Sequence, residues 1–286
     1  MTSPLLHRCI RTARAVRAVV AQPPYVAPGH FYSPLTSAGD VDRALRPADA
    51  VGVDLSQQRQ LSLAAALRPV LEQPLPGPRY VADNSMYGPG DAAVYRGMLR
   101  QIRPRNIVEV GSGFSTAVAL DEAESGELSG LKITCIEPYP DRLLGLLSAG
   151  DRDRVTLVRS PVQDTDLELY RGLGPDDVLF IDSTHVVKAG SDVSWLILQV
   201  LPRLAPGVIV HVHDIFWPFE YPAAWLREHR DWTENYLVHA FLIGNADWEI
   251  MLFSSWLWQE HPEMVPDRLA AEHPGSLWLR RRAGSR

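Results

Sequence analysis

The sequence predicts an α/β protein with a mostly parallel, seven-stranded sheet and an N-terminal helical extension. Three observations carry that expectation. The stretch Ile107-Val108-Glu109-Val110 is short and apolar around one acid, then runs through Gly111-Ser112-Gly113 into a helix capped by Ser115 or Thr116. From Gly90 onward, apolar strand patterns alternate with helical ones, as a parallel sheet requires. Polar residues end every predicted strand of the parallel half: Glu109, Glu137, Gln163-Asp164, Asp182 and His213-Asp214. In open α/β sheets, ligands bind beyond the carboxyl ends of the strands.

The elements follow in order. Leu5 to Val20 reads as a helix, and a Pro- and Gly-bearing loop with Phe31 and Tyr32 comes next. A short helix follows Asp40, and a longer one spans Gln57–Leu71. Pro74-Leu75-Pro76-Gly77-Pro78 cannot be helical, so residues 1–78 are expected to form an N-terminal helical extension or lid and 79–286 the catalytic domain. Within that domain, helices are expected at Asp91–Arg100, Thr116–Glu124, Asp141–Leu147, Ser191–Leu204 and Thr233–Leu242. Strands are expected at Asn106–Val110, Lys132–Ile136, Val155–Val158, Asp177–Ile181, Val208–Val212, Trp248–Phe253 and Ser276–Arg281, the last two as a hairpin-like pair.

Composition narrows the class of function. The chain has 286 residues, 46% hydrophobic and 22% charged, with a net charge of −6, which gives no reason to expect a nucleic-acid partner. Cys9 and Cys135 suggest neither a disulfide framework nor a zinc site. No apolar run approaches the roughly 20 residues needed to cross a bilayer, so no membrane partner is expected. Arg8, Arg11, Arg14 and Arg17 lie in an N-terminus free of acids, as in a transit peptide or an amphipathic surface helix. Lys132 and Lys188 are the only lysines, and this arginine bias favours a cytoplasmic enzyme. A homo-oligomer is an open possibility.

The glycine turn bears on the cofactor. Thr116 stands where the third glycine of a dinucleotide fingerprint would be, and Glu109 suits a cationic ligand group better than a pyrophosphate. Together with Gly111-x-Gly113, it resembles motif I of class I S-adenosylmethionine (SAM) methyltransferases, whose sheet is Rossmann-like and seven-stranded. The resemblance spans Val81 to Arg286. It implies SAM contacts at Glu109, near the methionine amino group, at Gly111, Ser112, Gly113 and Ser115, and at Glu137 with the ribose. By position alone, Gln163 and Asp164 are candidates for the adenine and Tyr87 for a cover over the cofactor. Glu137 serves NAD equally well.

Asp182-Ser183-Thr184-His185 and His211-Val212-His213-Asp214 form the second cluster. Carboxylates and imidazoles at neighbouring strand ends suit a divalent metal. Asp182-x-x-His185 and Asp214 resemble the metal-dependent small-molecule O-methyltransferases of the catechol and macrolide-sugar types. That resemblance implies a metal held by Asp182, His213 and Asp214, with His185 as general base. His213 departs from the carboxylate expected there, which leaves magnesium, manganese, iron or zinc open. His211, inside the strand, reads as a core histidine. Trp217, Phe219 and Tyr221, with Phe31 and Tyr32, are expected to wall an acceptor pocket, and Glu234 is a further polar candidate.

The function expected is metal-assisted O-methylation of a hydroxylated small molecule, such as a sugar or natural-product scaffold. The alternatives are an N- or C-methyltransferase without metal, an NAD-dependent oxidoreductase, and a non-catalytic SAM-binding protein.

Overall fold

A computed structural model describes residues 24–75, 77–126 and 128–283. The helix expected at Leu5–Val20, its arginines and Cys9 lie outside the described residues. Two compact units divide the chain: residues 1–47 with 223–231, and residues 48–222 with 232–286.

In the smaller unit, helix α1 (Ala38–Ala44) starts at a capping box, in which Ser37 and Asp40 bond each other's main-chain amides. The larger unit opens with α2 (Gln57–Leu71), whose buried Gln60, Ala64, Leu67 and Leu71 recur at helical spacing. Next come α3 (Pro89–Ile102), β1 (Asn106–Val110), α4 (Phe114–Glu124), β2 (Lys132–Ile136), α5 (Asp141–Leu146) and β3 (Val155–Val158). The one-turn α6 (Glu168–Arg171), β4 (Val178–Ile181), α7 (Asp192–Trp195) and β5 (Ile209–His213) complete the parallel half. The helix expected as continuous over Ser191–Leu204 is instead α7, a π turn at Leu196–Val200 and a 3-10 turn at Leu201–Arg203, where Pro202 supplies no amide to continue it. After α8 (Ala223–Arg227), which belongs to the smaller unit, the larger unit ends with α9 (Glu234–Leu242), β6 (Trp248–Phe253), α10 (Ser254–Glu260) and β7 (Ser276–Arg281).

The sheet order is β3-β2-β1-β4-β5-β7-β6, with β7 antiparallel to both its neighbours. This is the Rossmann-like seven-stranded sheet expected. β1 and β4 are adjacent, yet the chain runs outward in opposite directions from them, so a crevice opens at their carboxyl ends. Register aligns Cys135, Glu109, Phe180, His211 and Trp278 in one row across five strands. All five are buried, because helices cover this face.

Buried ion pairs fasten the helices beside the sheet. Glu122 of α4, fully buried, receives Arg96 at 2.8 Å and Arg100 at 2.5 Å, both from α3. Arg79, just after the Pro-rich segment, bonds Asp121 and Asp151 at 2.9 Å each. Gly77 lies over Asp121 with φ +86°, and a Cβ there would fall 2.1 Å from the Asp121 carboxyl carbon. α2 packs on α3 and β6, and the Gln60 side chain accepts from the Phe253 amide at 2.7 Å. Thus α2, which precedes the boundary expected at 78, is built into the larger unit. Among the described residues, no helix is long and apolar enough to cross a membrane.

Candidate active site

A cavity of about 300 Å3 opens where the sheet order reverses. The turn Gly111–Ser115 forms one wall, Asp182–His185 another, and Tyr87, Glu137, Asp214 and Trp232 close it. The turn is tight for a specific reason. Gly111 has φ +78°, and a Cβ on it would stand 1.8 Å from the Asp182 carbonyl oxygen, so only glycine lets the two strand ends meet here.

Of the expected cofactor contacts, Gly111, Ser112, Gly113, Ser115, Glu137 and Tyr87 all line this cavity. Glu137 accepts the Ser112 amide at 3.3 Å and the Tyr139 amide at 2.8 Å. Tyr87 is buried, its ring packed against Tyr95, Phe180 and His213, and its hydroxyl has no hydrogen-bond partner in the protein.

Glu109 is placed differently from expectation. It lies inside β1, one residue short of the mouth, and faces the same way as Cys135 and Phe180. It is fully buried and does not line the cavity. Its two oxygens accept from the Ser115 hydroxyl at 2.7 Å and from the Thr116 hydroxyl, which itself receives the Gly113 amide at 3.1 Å. Burial pushes its carboxyl up to about 7, although those hydrogen bonds pull it back. Glu109 therefore buttresses the glycine turn from below, and Thr116, in place of a third glycine, is part of that buttress. Gln163 and Asp164 also lie away from the cavity. They sit in a 3-10 turn where the Gln163 amide bonds the Gly190 carbonyl at 2.9 Å.

The second cluster gathers in part. Asp182, His185 and Asp214 converge on the cavity, with His185 Nε2 3.3 Å from Asp182 Oδ1 and 3.7 Å from Asp214 Oδ2. Both His185 (φ +61°) and Asp214 (φ +55°) sit in the left-handed region, a strain that persists where surrounding contacts enforce it. Burial opposes charge on His185, but hydrogen bonds to Asp182 and Glu234 outweigh it and hold the imidazole well above its ordinary value. Burial likewise disfavours the Asp182 carboxylate, yet His213 and His185 beside it keep it below the usual range.

His213 stands beside Asp182 and Asp214 but does not line the cavity. β5 runs one residue further than expected, so His213 shares a sheet face with His211, their rings stacked 5.8 Å apart. It lies 5.0 Å from the Tyr87 ring, is buried, and has Nε2 3.6 Å from Asp214 Oδ1. Among the described residues, no group of three or more His, Cys, Asp or Glu is arranged to hold a metal ion. The donors do not fit a metal, and no step below is routed through one.

The aromatic loop also departs from expectation. Phe219 stacks on His239 at 4.5 Å, and Trp217 is fixed by bonds from its amide to Ser255 (2.8 Å) and its indole to Glu260 (3.1 Å). The Tyr221 hydroxyl accepts the Asn235 amide at 3.2 Å. None of the three lines the cavity; they pack the loop onto α9, β6 and α10. Phe31 and Tyr32 belong to the smaller unit and are exposed, at 81% and 68%. Arg142 and Met86 line the cavity without having been singled out for it, since nothing in their spacing carries a chemical signature. Glu234, a lesser candidate in the sequence, proves to bond His185 Nδ1 at 2.9 Å.

A family model described as a methyltransferase domain matches residues 108–215. An uncharacterized protein of Archaeoglobus fulgidus is 30% identical over 163 residues, covering 51% of this chain and 72% of that protein. Among solved structures, the SAH-bound Podospora anserina methyltransferase PaMTH1 is similar at 16% identity, with 79% of this chain and 88% of that one covered and a TM-score of 0.47. The Bacillus cereus O-methyltransferase in complex with SAH is similar at 15% identity, covering 85% and 96%, TM-score 0.45. The apo structure of CmcI-N160 is similar at 22% identity, covering 68% and 72%, TM-score 0.42.

Proposed function

This chain belongs to the class I SAM-dependent methyltransferases, and from that premise we propose that it methylates a hydroxyl group of a small molecule, with His185 as proton acceptor. The observation that carries the reading is the convergence of His185 Nε2 with Asp182 and Asp214 on the same cavity as the glycine turn. SAM, when bound, supplies a methyl group already made electrophilic by its sulfonium. The protein's task is then to align the acceptor oxygen and remove its proton.

Gly111–Ser115 would hold the methionine end of the cofactor, Glu137 its ribose, and Tyr87 would close over it. Asp182 and Asp214 would accept hydrogen bonds from the acceptor and favour the positive charge of the sulfonium nearby. His185 Nε2, which lies beside Asp182 and Asp214 at the cavity, would take up the hydroxyl proton of the acceptor as the methyl group is transferred. An imidazole already protonated cannot take that proton. His185, held above its ordinary value, therefore becomes a base only in the fraction of molecules where Nε2 is free, and turnover should climb with pH.

In this proposal the methyltransferase domain expected at 79–286 takes in α2 as well, which leaves the N-terminal helical extension to the residues before it. A cytoplasmic enzyme acting on a sugar or natural-product scaffold belongs to the same reading. The test is methyl transfer from labelled SAM across hydroxylated, amine and carbon-acid acceptors, with wild type and His185→Ala. Transfer to hydroxyls that is lost in the variant, with SAM affinity retained, supports the proposal; transfer only to amines or carbon acids overturns it. Turnover is expected to survive exhaustive chelation, and loss on chelation with recovery on adding back metal would contradict the donor geometry above.

A further inference from the structure

Glu234, the first residue of α9, has its carboxylate fully buried. An isolated buried carboxylate is costly, so its position needs a compensating partner. That partner is His185, whose Nδ1 lies 2.9 Å from Glu234 Oε2. Glu234 Oε1 has no hydrogen-bond partner, so the bond to His185 is what this carboxylate gains in the interior. Burial raises the Glu234 carboxyl, and His185 pulls it back down.

The main chain makes the same connection independently. The amides of Thr233 and Glu234 both donate to the His185 carbonyl, at 2.9 and 3.1 Å. The Thr233 hydroxyl accepts the Val187 amide at 2.7 Å, and the Trp232 ring lies 4.3 Å from the imidazole. The start of α9 thus grips both the backbone and the ring of His185, in the segment where His185 adopts its left-handed φ.

We infer that Glu234 is the positioning residue of this site: by binding Nδ1 it turns His185 so that Nε2 faces Asp182, Asp214 and the cavity. The inference rests on the reading above, in which His185 stands next to the acceptor. A carboxylate beside Nδ1 keeps the proton on that nitrogen, so proton exchange with the acceptor is confined to Nε2. Acid–histidine pairs of hydrolases divide the labour in the same way.

The experiment uses the full chain labelled with 15N-histidine, as wild type, Glu234→Gln, Glu234→Ala and, for assignment, His185→Gln. Long-range proton–nitrogen spectra of the wild type should show a downfield, slowly exchanging Nδ1 proton that disappears in His185→Gln. The inference predicts that this signal moves upfield in Glu234→Gln and vanishes in Glu234→Ala. Turnover should fall about tenfold in the glutamine variant and about a hundredfold in the alanine variant, with the KM and dissociation constant for SAM within about threefold of wild type. A signal that stays in place in both variants overturns the inference, as does SAM affinity that falls in step with turnover. Should Glu234→Ala fail to fold, Glu234→Gln decides alone, an unmoved signal counting against. If wild type methylates no hydroxylated acceptor, the functional reading falls, while the proton signal still decides for or against Glu234.

Discussion

Replacing Gly111 by alanine should damage the fold and the cofactor site together. The added Cβ would stand 1.8 Å from the Asp182 carbonyl oxygen, where ordinary contact begins at 3.4 Å, so β1 and β4 must part by roughly 1.6 Å at their ends. That strains the 2.9 Å bond from the Asp182 amide to the Val110 carbonyl. A residue with a Cβ at φ +78° costs about 1 to 2 kcal/mol, and overpacking of this kind about 1 to 3 more. A total of about 2 to 5 kcal/mol lowers Tm by roughly 5 to 15 °C for a chain of this size. Thermal unfolding followed by circular dichroism reads the first effect, and calorimetry with SAM reads the second, which should be a marked weakening. Gly130→Ala is the control, because a Cβ there meets nothing within 4 Å and the change should leave Tm within about 1 °C. If Gly111→Ala melts with wild type and binds SAM as tightly, the account of the turn is wrong.

The remaining predictions concern charge. Turnover should rise with pH past the ordinary histidine range, because His185 acts only when Nε2 is unprotonated and its folded value is raised; an acid-side optimum would contradict this. Glu109 sits at about 7 when folded against 4.5 as its ordinary value, so the protonated form is the one folding favours. Its contribution is complete below pH 4.5 and is lost as pH climbs through 7. Glu109→Gln should therefore gain stability relative to wild type between pH 5 and 8, by up to roughly 3 kcal/mol, and melts at several pH values should show a widening gap; a constant or shrinking gap refutes it. Glu122→Ala leaves Arg96 and Arg100 without their shared partner and should cost about 3 to 5 kcal/mol, read as a lower denaturant midpoint. Phe219→Ala should lower Tm while leaving the acceptor KM unchanged, since Phe219 packs on His239 and Phe253 away from the cavity; a raised KM with an unchanged melt would return it to the acceptor pocket.

Much of the fold was legible because its signals are local. Five of seven strands fall on the expected residues, Asn106–Val110 and Lys132–Ile136 among them, because short β-branched runs between turn residues have few other solutions. The helix Gln57–Leu71 was readable from its periodicity. α10 was missed because Ser254–Glu260 follows β6 without a turn residue between them. At the site, strand ends located the cavity, but the direction of each side chain depends on parity. One residue more of β5 turned His213 from the mouth into the sheet face, and one residue of depth put Glu109 under the turn instead of in it. The aromatic loop shows the same limit: Trp217, Phe219 and Tyr221 suit a pocket wall or a packed core equally well until their partners on α9 and α10 are known. Glu234 lies 49 residues from His185, and no local pattern joins them.

The central claim is that SAM occupies the cavity between the glycine turn and Asp182. The most direct measurement is calorimetric titration of the wild-type protein with SAM, S-adenosylhomocysteine and NAD, repeated with Gly111→Ala. Binding of SAM and S-adenosylhomocysteine at one site per chain, weakened by the substitution, with no binding of NAD, is the result expected. Tight binding of NAD with none of SAM would contradict it.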